Sequence, residues 1–446
     1  MNTEATSPPP TTTGVWRFGP RRRRRAAVVL AAVLSVLGGT QPAAAAQPGP
    51  PVPAGPAAEW LPMPQSALDR LVAGGVPGVI VLRRHGARVQ VATSGVADRR
   101  TGDPIRAHDR LRIGSNTKTF VATVVLQLAG EGRLKLSDSI EWWLPGMVPN
   151  GSAITIRHLL NHTSGLYNFN EDPRLLVPYA TDPAHYWPPR DLVALATSHP
   201  PLFAPGASWS YSNTNYVLLG LLIEAVTRHR AGTEVLNRVT HPLRLRHTSF
   251  PLRNPRLPHP HTRGYLTNLP ADVTPDGVLD STVLSPSIAW TSGGMVSTVH
   301  DLARFHRALF TGRLLRPEQT RELTTVVPGS DYGLGIIRWS TSCGTAWGHG
   351  GSFPGYLSIA LTSTDGARQA VIALNSDRTL SEATLASIDA ALEALFCGPP
   401  RPGNRHRHAD AASVPGLADQ LRRHLVAAED GRGYGRCGGS RWRSGR

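Results

Sequence analysis

The sequence predicts an α+β fold: one antiparallel sheet built from both ends of the chain, flanked by terminal helices, with a mainly helical middle region between. Two observations predict it. A helix followed by a hairpin near the start is mirrored by a hairpin followed by a helix near the end, and the stretch between them carries helix-like apolar runs broken repeatedly by Pro and Gly. In order, "PQSALDRLVAGG" (64–75) reads as a short amphipathic helix. The strand-like runs "GVIVLRRHG" and "ARVQVATSG" follow, joined through Gly86 as a hairpin. The middle holds helices opening at Ser115, Asn215 and His300. Then "YLSIALTS" (356–363), a "TDGA" turn and "QAVIALNS" (369–376) form the second hairpin, and "ATLASIDAALEALF" the last helix.

Outside this body the composition changes. "RRRRR" (Arg21 to Arg25), the apolar "AAVVLAAVLSVLGG" and "QPAAAAQPGP" follow the plan of a secretory signal peptide, and fourteen apolar residues are too few to span a bilayer. We assign 1–46 to a signal peptide cleaved near Ala46, 47–59 to a Pro/Ala-rich linker, 60–398 to the folded domain and 399–446 to a disordered Arg/Gly-rich tail. The expected location is outside the cell, with no stable membrane span. The net charge of +16 sits mostly in the two tails, and the body lacks the basic stripe interleaved with aromatics that a nucleic-acid reader needs. Of three cysteines, Cys343 and Cys397 flank the second hairpin and last helix, whereas Cys437 lies in the tail. In an exported protein we pair the first two, which closes a loop of about 55 residues for roughly 4 kcal/mol of stability.

The chemistry begins at "LRIGSNTKTFVATVVLQLAGEG" (111–132). Ser115 and Lys118 stand three apart at a helix start, so they share a face, and the helix N-terminus favours developing negative charge. Of 47 basic residues only Lys118 and Lys135 are lysines. A neutral lysine can take a serine's proton and an arginine cannot. Alone, the pair reads equally well as an N-cap and a solvated charge. Two further clusters join it. Tyr211-Ser212-Asn213 precedes an apolar helix: a tyrosine can shuttle a proton and an asparagine can orient lysine and substrate, although Y-x-N also serves as a cap. His349-Gly350-Gly351-Ser352 begins a strand, where glycines let a substrate backbone approach and an N–H can face an oxyanion. No metal-ligand spacing, phosphate loop or G-x-S-x-G elbow occurs in the sequence, and no metal or organic cofactor is expected.

In the order S-x-x-K, Y-x-N, H-x-G, these motifs resemble the penicillin-recognising serine hydrolases, which include serine β-lactamases, D-alanyl-D-alanine peptidases and related esterases. The His of the third motif and Y-S-N point to the secreted carboxypeptidase branch near class C β-lactamases. "ITIRHLLNHTSGL" (154–166), "SGGMVSTVHDLARF" (292–305), "YGLGIIRW" (332–339) and the placement of Cys343 and Cys397 are similar to that branch too. The resemblance implies a site between sheet and helices. It implies Ser115 as acyl-forming nucleophile, Lys118 and Tyr211 as the proton-transfer pair, Asn213 as orienter, and His349 on the third-motif strand. The N–H groups of Ser115 and Ser352 would form the oxyanion hole, and Asn213, Gly350, Gly351, Ser352, Arg338 and Trp290 would line the substrate site. One departure stands out: Gly350 occupies the position where many members carry a carboxylate-holding hydroxyl. The expected activity is a monomeric, secreted D-Ala-D-Ala carboxypeptidase acting on peptidoglycan-type peptides and binding β-lactams. The alternatives are an esterase, D-aminopeptidase or class C-like β-lactamase on the same fold, and a non-catalytic penicillin- or peptidoglycan-binding protein.

Overall fold

A computed structural model describes residue 63 and residues 65–398, apart from 270–273 and 378–380. The expected signal peptide, the linker, the Arg/Gly-rich tail and Cys437 lie outside the described residues.

The first elements are helix α1 (Gln65–Ala73), strands β1 (Gly78–His85) and β2 (Arg88–Asp98), and a two-residue edge strand β3 (Asp103–Pro104). The middle contains α2 (Asn116–Gly130), α3 (Asn213–Thr227) and α4 (Val299–Phe310), with shorter helices such as Ile156–Leu160 between them. Strands β4 (Ile337–Thr341), β5 (Gly344–Phe353), β6 (Tyr356–Ser363) and β7 (Arg368–Leu374) and helix α5 (Glu382–Cys397) complete the chain. The seven strands form one antiparallel sheet in the order β3-β2-β1-β7-β6-β5-β4, so the two hairpins meet at its centre, with Val79 opposite Leu374. Both hairpins and both terminal helices fall where the apolar pattern places them.

Alternation along the strands sorts side chains between two cores. Val79 and Val81 of β1 and Ile372 and Leu374 of β7 pack with Leu68 and Leu71 of α1 and with Ile388, Leu392 and Leu395 of α5. Their neighbours Ile80, Leu82, Val371 and Ala373 face the helical middle, where Phe120 of α2 stacks on Phe305 of α4 with ring centroids 3.6 Å apart. Each of the Val, Leu, Ile and Phe side chains, removed from water, contributes about 1.5–3 kcal/mol. Helix α2 is covered nearly all round: twelve of its fifteen residues are buried, which explains why its apolar residues are not confined to one face. It runs through the interior with its N-terminus against β5. Among the described residues no helix is long and apolar enough to cross a membrane.

Helix α3 begins at Asn213, two residues before the expected start. The first N–H of a helix has no partner within the helix. Here the Asn213 N–H donates to Asn168 Oδ1 at 3.0 Å, a contact 45 residues away in sequence, and this outside acceptor stabilises the longer helix. Sulfurs of Cys343, in the turn between β4 and β5, and Cys397, at the end of α5, are joined in a disulfide with Cα atoms 5.4 Å apart.

Candidate active site

Ser115 occupies the N-cap position of α2, yet its side chain caps nothing. Its Oγ lies 2.9 Å from Lys118 Nζ and 2.9 Å from the Tyr211 hydroxyl. The ordinary readings left open by the sequence, a cap and a surface charge, therefore do not describe this pair: the lysine is fully buried. Burial pushes the Lys118 amine well below its ordinary value. Among the described residues no carboxylate pairs with it. The rings of Tyr211 and Tyr216 lie 4.7 and 5.5 Å from Nζ and favour the charged form. Such contacts contribute about 2 kcal/mol at most, less than the cost of burying an unpaired ammonium.

The hydrogen-bond inventory fits the neutral amine. Besides Ser115 Oγ, Nζ has two partners, Asn213 Oδ1 at 2.7 Å and the Ser292 carbonyl at 2.8 Å. Both can only accept. A neutral amine has two N–H donors and one lone pair, so its two protons go to those oxygens and the lone pair is left to the only partner with a proton to give, the Ser115 hydroxyl. Tyr211, itself buried, has its hydroxyl pushed above the usual tyrosine value by desolvation, only partly offset by its bond to Ser115, so it remains a proton donor at neutral pH.

Asn213 is held in turn. Its Nδ2 donates to Asn168 Oδ1 at 3.2 Å, which leaves Oδ1 for the lysine. Behind Tyr211 sits a layer of rings: His162 lies 4.3 Å from the Tyr211 ring and 4.6 Å from that of Tyr332. His349 of β5 is buried here too. Its Nε2 meets the Tyr332 hydroxyl at 2.9 Å and its Nδ1 the Gly350 carbonyl. Tyr332 touches Tyr211 and His349 edge-on, at 6.0 and 5.6 Å between centroids.

Two glycines bring the start of α2 against β5. A Cβ on Gly114, whose φ is 49°, would stand 2.4 Å from the Ser352 carbonyl oxygen. One on Gly351 would stand 2.0 Å from the Ile113 carbonyl and 2.9 Å from the Ser115 nitrogen. Any side chain at either position would push the backbones of Ser115 and Ser352 apart. Gly350 pairs with Ile359 of β6, and Ser352, partly exposed, with Leu357.

Two expected substrate-lining residues have other surroundings. Arg338 lies on the face of β4 opposite Ile337 and Trp339, which point to the terminal helices, but its Nη2 and Nε donate to Asp331 Oδ1 at 3.0 and 3.3 Å, and its side chain is 43% exposed. Trp290 is 5% exposed, with a left-handed φ of 39° and its ring over Gly220 of α3. It belongs to the core, and the segment it anchors presents the Ser292 carbonyl to Lys118. Sequence reasoning missed Asn168, His162, Tyr332 and that carbonyl. The strings "NHTSGL" and "YGLGIIRW" carried part of the signal, but no local pattern ties them to a lysine far away in the chain. Among the described residues no cluster of His, Cys, Asp and Glu is arranged to hold a metal ion.

Comparison with known proteins agrees with this geometry. A family model described as Beta-lactamase matches residues 65–395. The structure is similar to that of a D-stereospecific amidohydrolase from Streptomyces sp., 41% identical with a TM-score of 0.68, over 75% of this chain and 98% of that one. It is also similar to a D-amino acid amidase from Ochrobactrum anthropi SV3 crystallised with L-phenylalanine amide, 30% identical with a TM-score of 0.67, over 74% and 97% of the two chains. The putative penicillin-binding protein PbpX of Bacillus subtilis is 27% identical over 262 residues; the match spans 59% of this chain and 62% of that relative's length. The buried lysine beside a nucleophile-positioned serine and the family match lead to one conclusion: the chain belongs to the β-lactamase family of serine hydrolases.

Proposed function

We propose that the protein is an exported serine amidohydrolase that cleaves amides or esters of D-configured acyl groups through an acyl-enzyme on Ser115. The observation that carries the reading is Ser115 Oγ at 2.9 Å from both a fully buried lysine and a buried tyrosine hydroxyl. Neutral Lys118 takes the Ser115 proton as Oγ bonds to the carbonyl carbon, and the resulting oxyanion is held by the N–H groups of Ser115 and Ser352. The C–N bond then breaks as a proton passes through Tyr211 to the departing amine. Water, activated by the same pair, adds to the acyl carbon and returns the proton to Oγ as the acid leaves. His162 and Tyr332 pack behind Tyr211, His349 holds the Tyr332 hydroxyl, and Asn213 fixes the lysine.

For the substrate, D-amino-acid amides are favoured over peptides ending in a free carboxylate. The likeness to the Streptomyces amidohydrolase supports this, and so does the third motif. A buried carboxylate left without fixed donors costs several kcal/mol. Here Gly350 has no hydroxyl, and Arg338 is held by Asp331. The carboxypeptidase reading keeps one specific support, the partly exposed Ser352 beside Ser115.

The test is kcat/KM for D- and L-phenylalanine amide, a D-Ala-D-Ala peptide and p-nitrophenyl acetate, with Ser115→Ala as control. We expect a D-over-L preference of at least about 100-fold on the amide, no need for a free carboxylate, and loss of all turnover in the control. Preference for the D-Ala-D-Ala peptide would replace the amidase reading with the carboxypeptidase. Turnover retained by Ser115→Ala would end both.

A further inference from the structure

Beneath the nucleophile lies a second chain of hydrogen bonds that the reaction as described does not use. Asn116 follows Ser115, and its side chain points into the interior, fully buried. Its Nδ2 donates to the Ser358 carbonyl at 3.3 Å and to Ser358 Oγ at 3.0 Å. Because a carbonyl only accepts, the amide orientation is settled and Oδ1 faces His306 Nε2 at 3.3 Å. That nitrogen must carry the proton, and His306 is a neutral donor, with burial pushing it down to about 3. Its Nδ1 is buried and has no hydrogen-bond partner among the described residues. Ser358 Oγ passes the chain on, donating to the Ile113 carbonyl at 3.1 Å, which also accepts the Asn116 N–H at 3.2 Å. Donation therefore runs one way, from His306 of α4 through Asn116 to Ser358 of β6 and the turn that presents Ser115.

An apolar residue at position 306 would avoid an orphaned nitrogen that costs about 1–3 kcal/mol. The chain also ends at a telling place. Ser358 stands opposite Gly351 in the sheet, and Gly351 is the residue pressed against the Ser115 nitrogen, one position before Ser352. The network thus ties the turn carrying one oxyanion N–H to the strand pair carrying the other.

We propose that His306, Asn116 and Ser358 are positioning residues that hold the Ser115 and Ser352 N–H groups at the spacing the tetrahedral oxyanion requires. This rests on the acyl-enzyme reading above. It goes beyond that reading by assigning transition-state geometry to three side chains that touch neither substrate nor Lys118.

The experiment uses the full chain with Ser358→Ala, which deletes one hydroxyl, and His306→Leu. Five quantities are measured: kcat and KM on p-nitrophenyl acetate, Kd for phenylboronic acid as a tetrahedral probe, the acid limb of the kcat/KM pH profile, and Tm. A positioning role predicts kcat lower by about 10- to 100-fold and boronate Kd raised by a similar factor. KM should stay within about twofold and the acid limb should not move, since the lysine is untouched. Wild-type kcat and boronate affinity in Ser358→Ala, with only Tm lowered, would make the network structural and overturn the proposal. A displaced acid limb would also overturn it, assigning the network to Lys118 instead. Activity surviving in Ser115→Ala would instead overturn the acyl-enzyme reading itself, so the two failures are distinguishable.

Discussion

Replacing Lys118 with methionine isolates the amine from the length of the side chain and turns its burial into a measurable slope. In the unfolded chain the amine holds its proton up to about pH 10.4. In the folded protein burial lowers that value, so between the two the unfolded state binds one more proton. Stability therefore rises with pH across that window, by about 1.4 kcal/mol per pH unit, and the Lys118→Met protein lacks this contribution. Other titrating groups are common to both proteins and cancel in the difference. With a urea m-value of about 3 kcal/mol/M, the midpoints should diverge by ~0.5 M per pH unit. The assay is urea unfolding of both proteins at pH 7.5, 8.5 and 9.5, and the wild type should gain relative to the variant at each step. The same substitution removes the general base and should lower kcat/KM by about 10²- to 10⁴-fold. Parallel stability curves would mean that folded Lys118 keeps its proton, and the base assignment would fall with them.

Two other perturbations address neighbouring points. Arg338→Ala removes a partly exposed ion pair and should cost at most about 1 kcal/mol of stability, with amide and ester turnover reduced equally and by less than about threefold. A selective loss of D-Ala-D-Ala peptide turnover in that variant would show the guanidinium reaching a carboxylate. The Cys343–Cys397 crosslink, spanning 54 residues, should be recovered by non-reducing peptide mapping, and its reduction should lower unfolding free energy by roughly 4 kcal/mol. Two alkylatable thiols in freshly prepared protein would count against it.

What the sequence revealed and what it hid divide along a physical line. Ser115 and Lys118 were legible because helical spacing places them on one face and because lysine is rare here. Strands β1 and β6 were legible because their apolar runs are bounded by turn residues. Each of these signals is local. The start of α3 was misplaced because its cap comes from Asn168. The burial of Trp290 depends on Gly220 on another helix, and the third partner of Lys118 is a backbone carbonyl, which no side-chain pattern can announce. The His306–Asn116–Ser358 chain joins three segments whose letters carry no shared period. Motif spacing finds the reacting atoms, whereas the groups that orient them are recruited across the fold.

The pairing of β1 with β7 at the centre of the sheet has a consequence for synthesis. The inner edge of β1, from Val79 to His85, acquires its partner only when Arg368–Leu374 has been made. At ribosomal speeds of about 5–20 residues per second, the intervening ~280 residues keep that edge open for roughly 15 to 60 s. An apolar strand with unsatisfied backbone groups is a template for pairing with another chain. The nascent protein thus spends most of its synthesis with the middle of its future sheet as an open border, a template for pairing that the finished fold no longer offers.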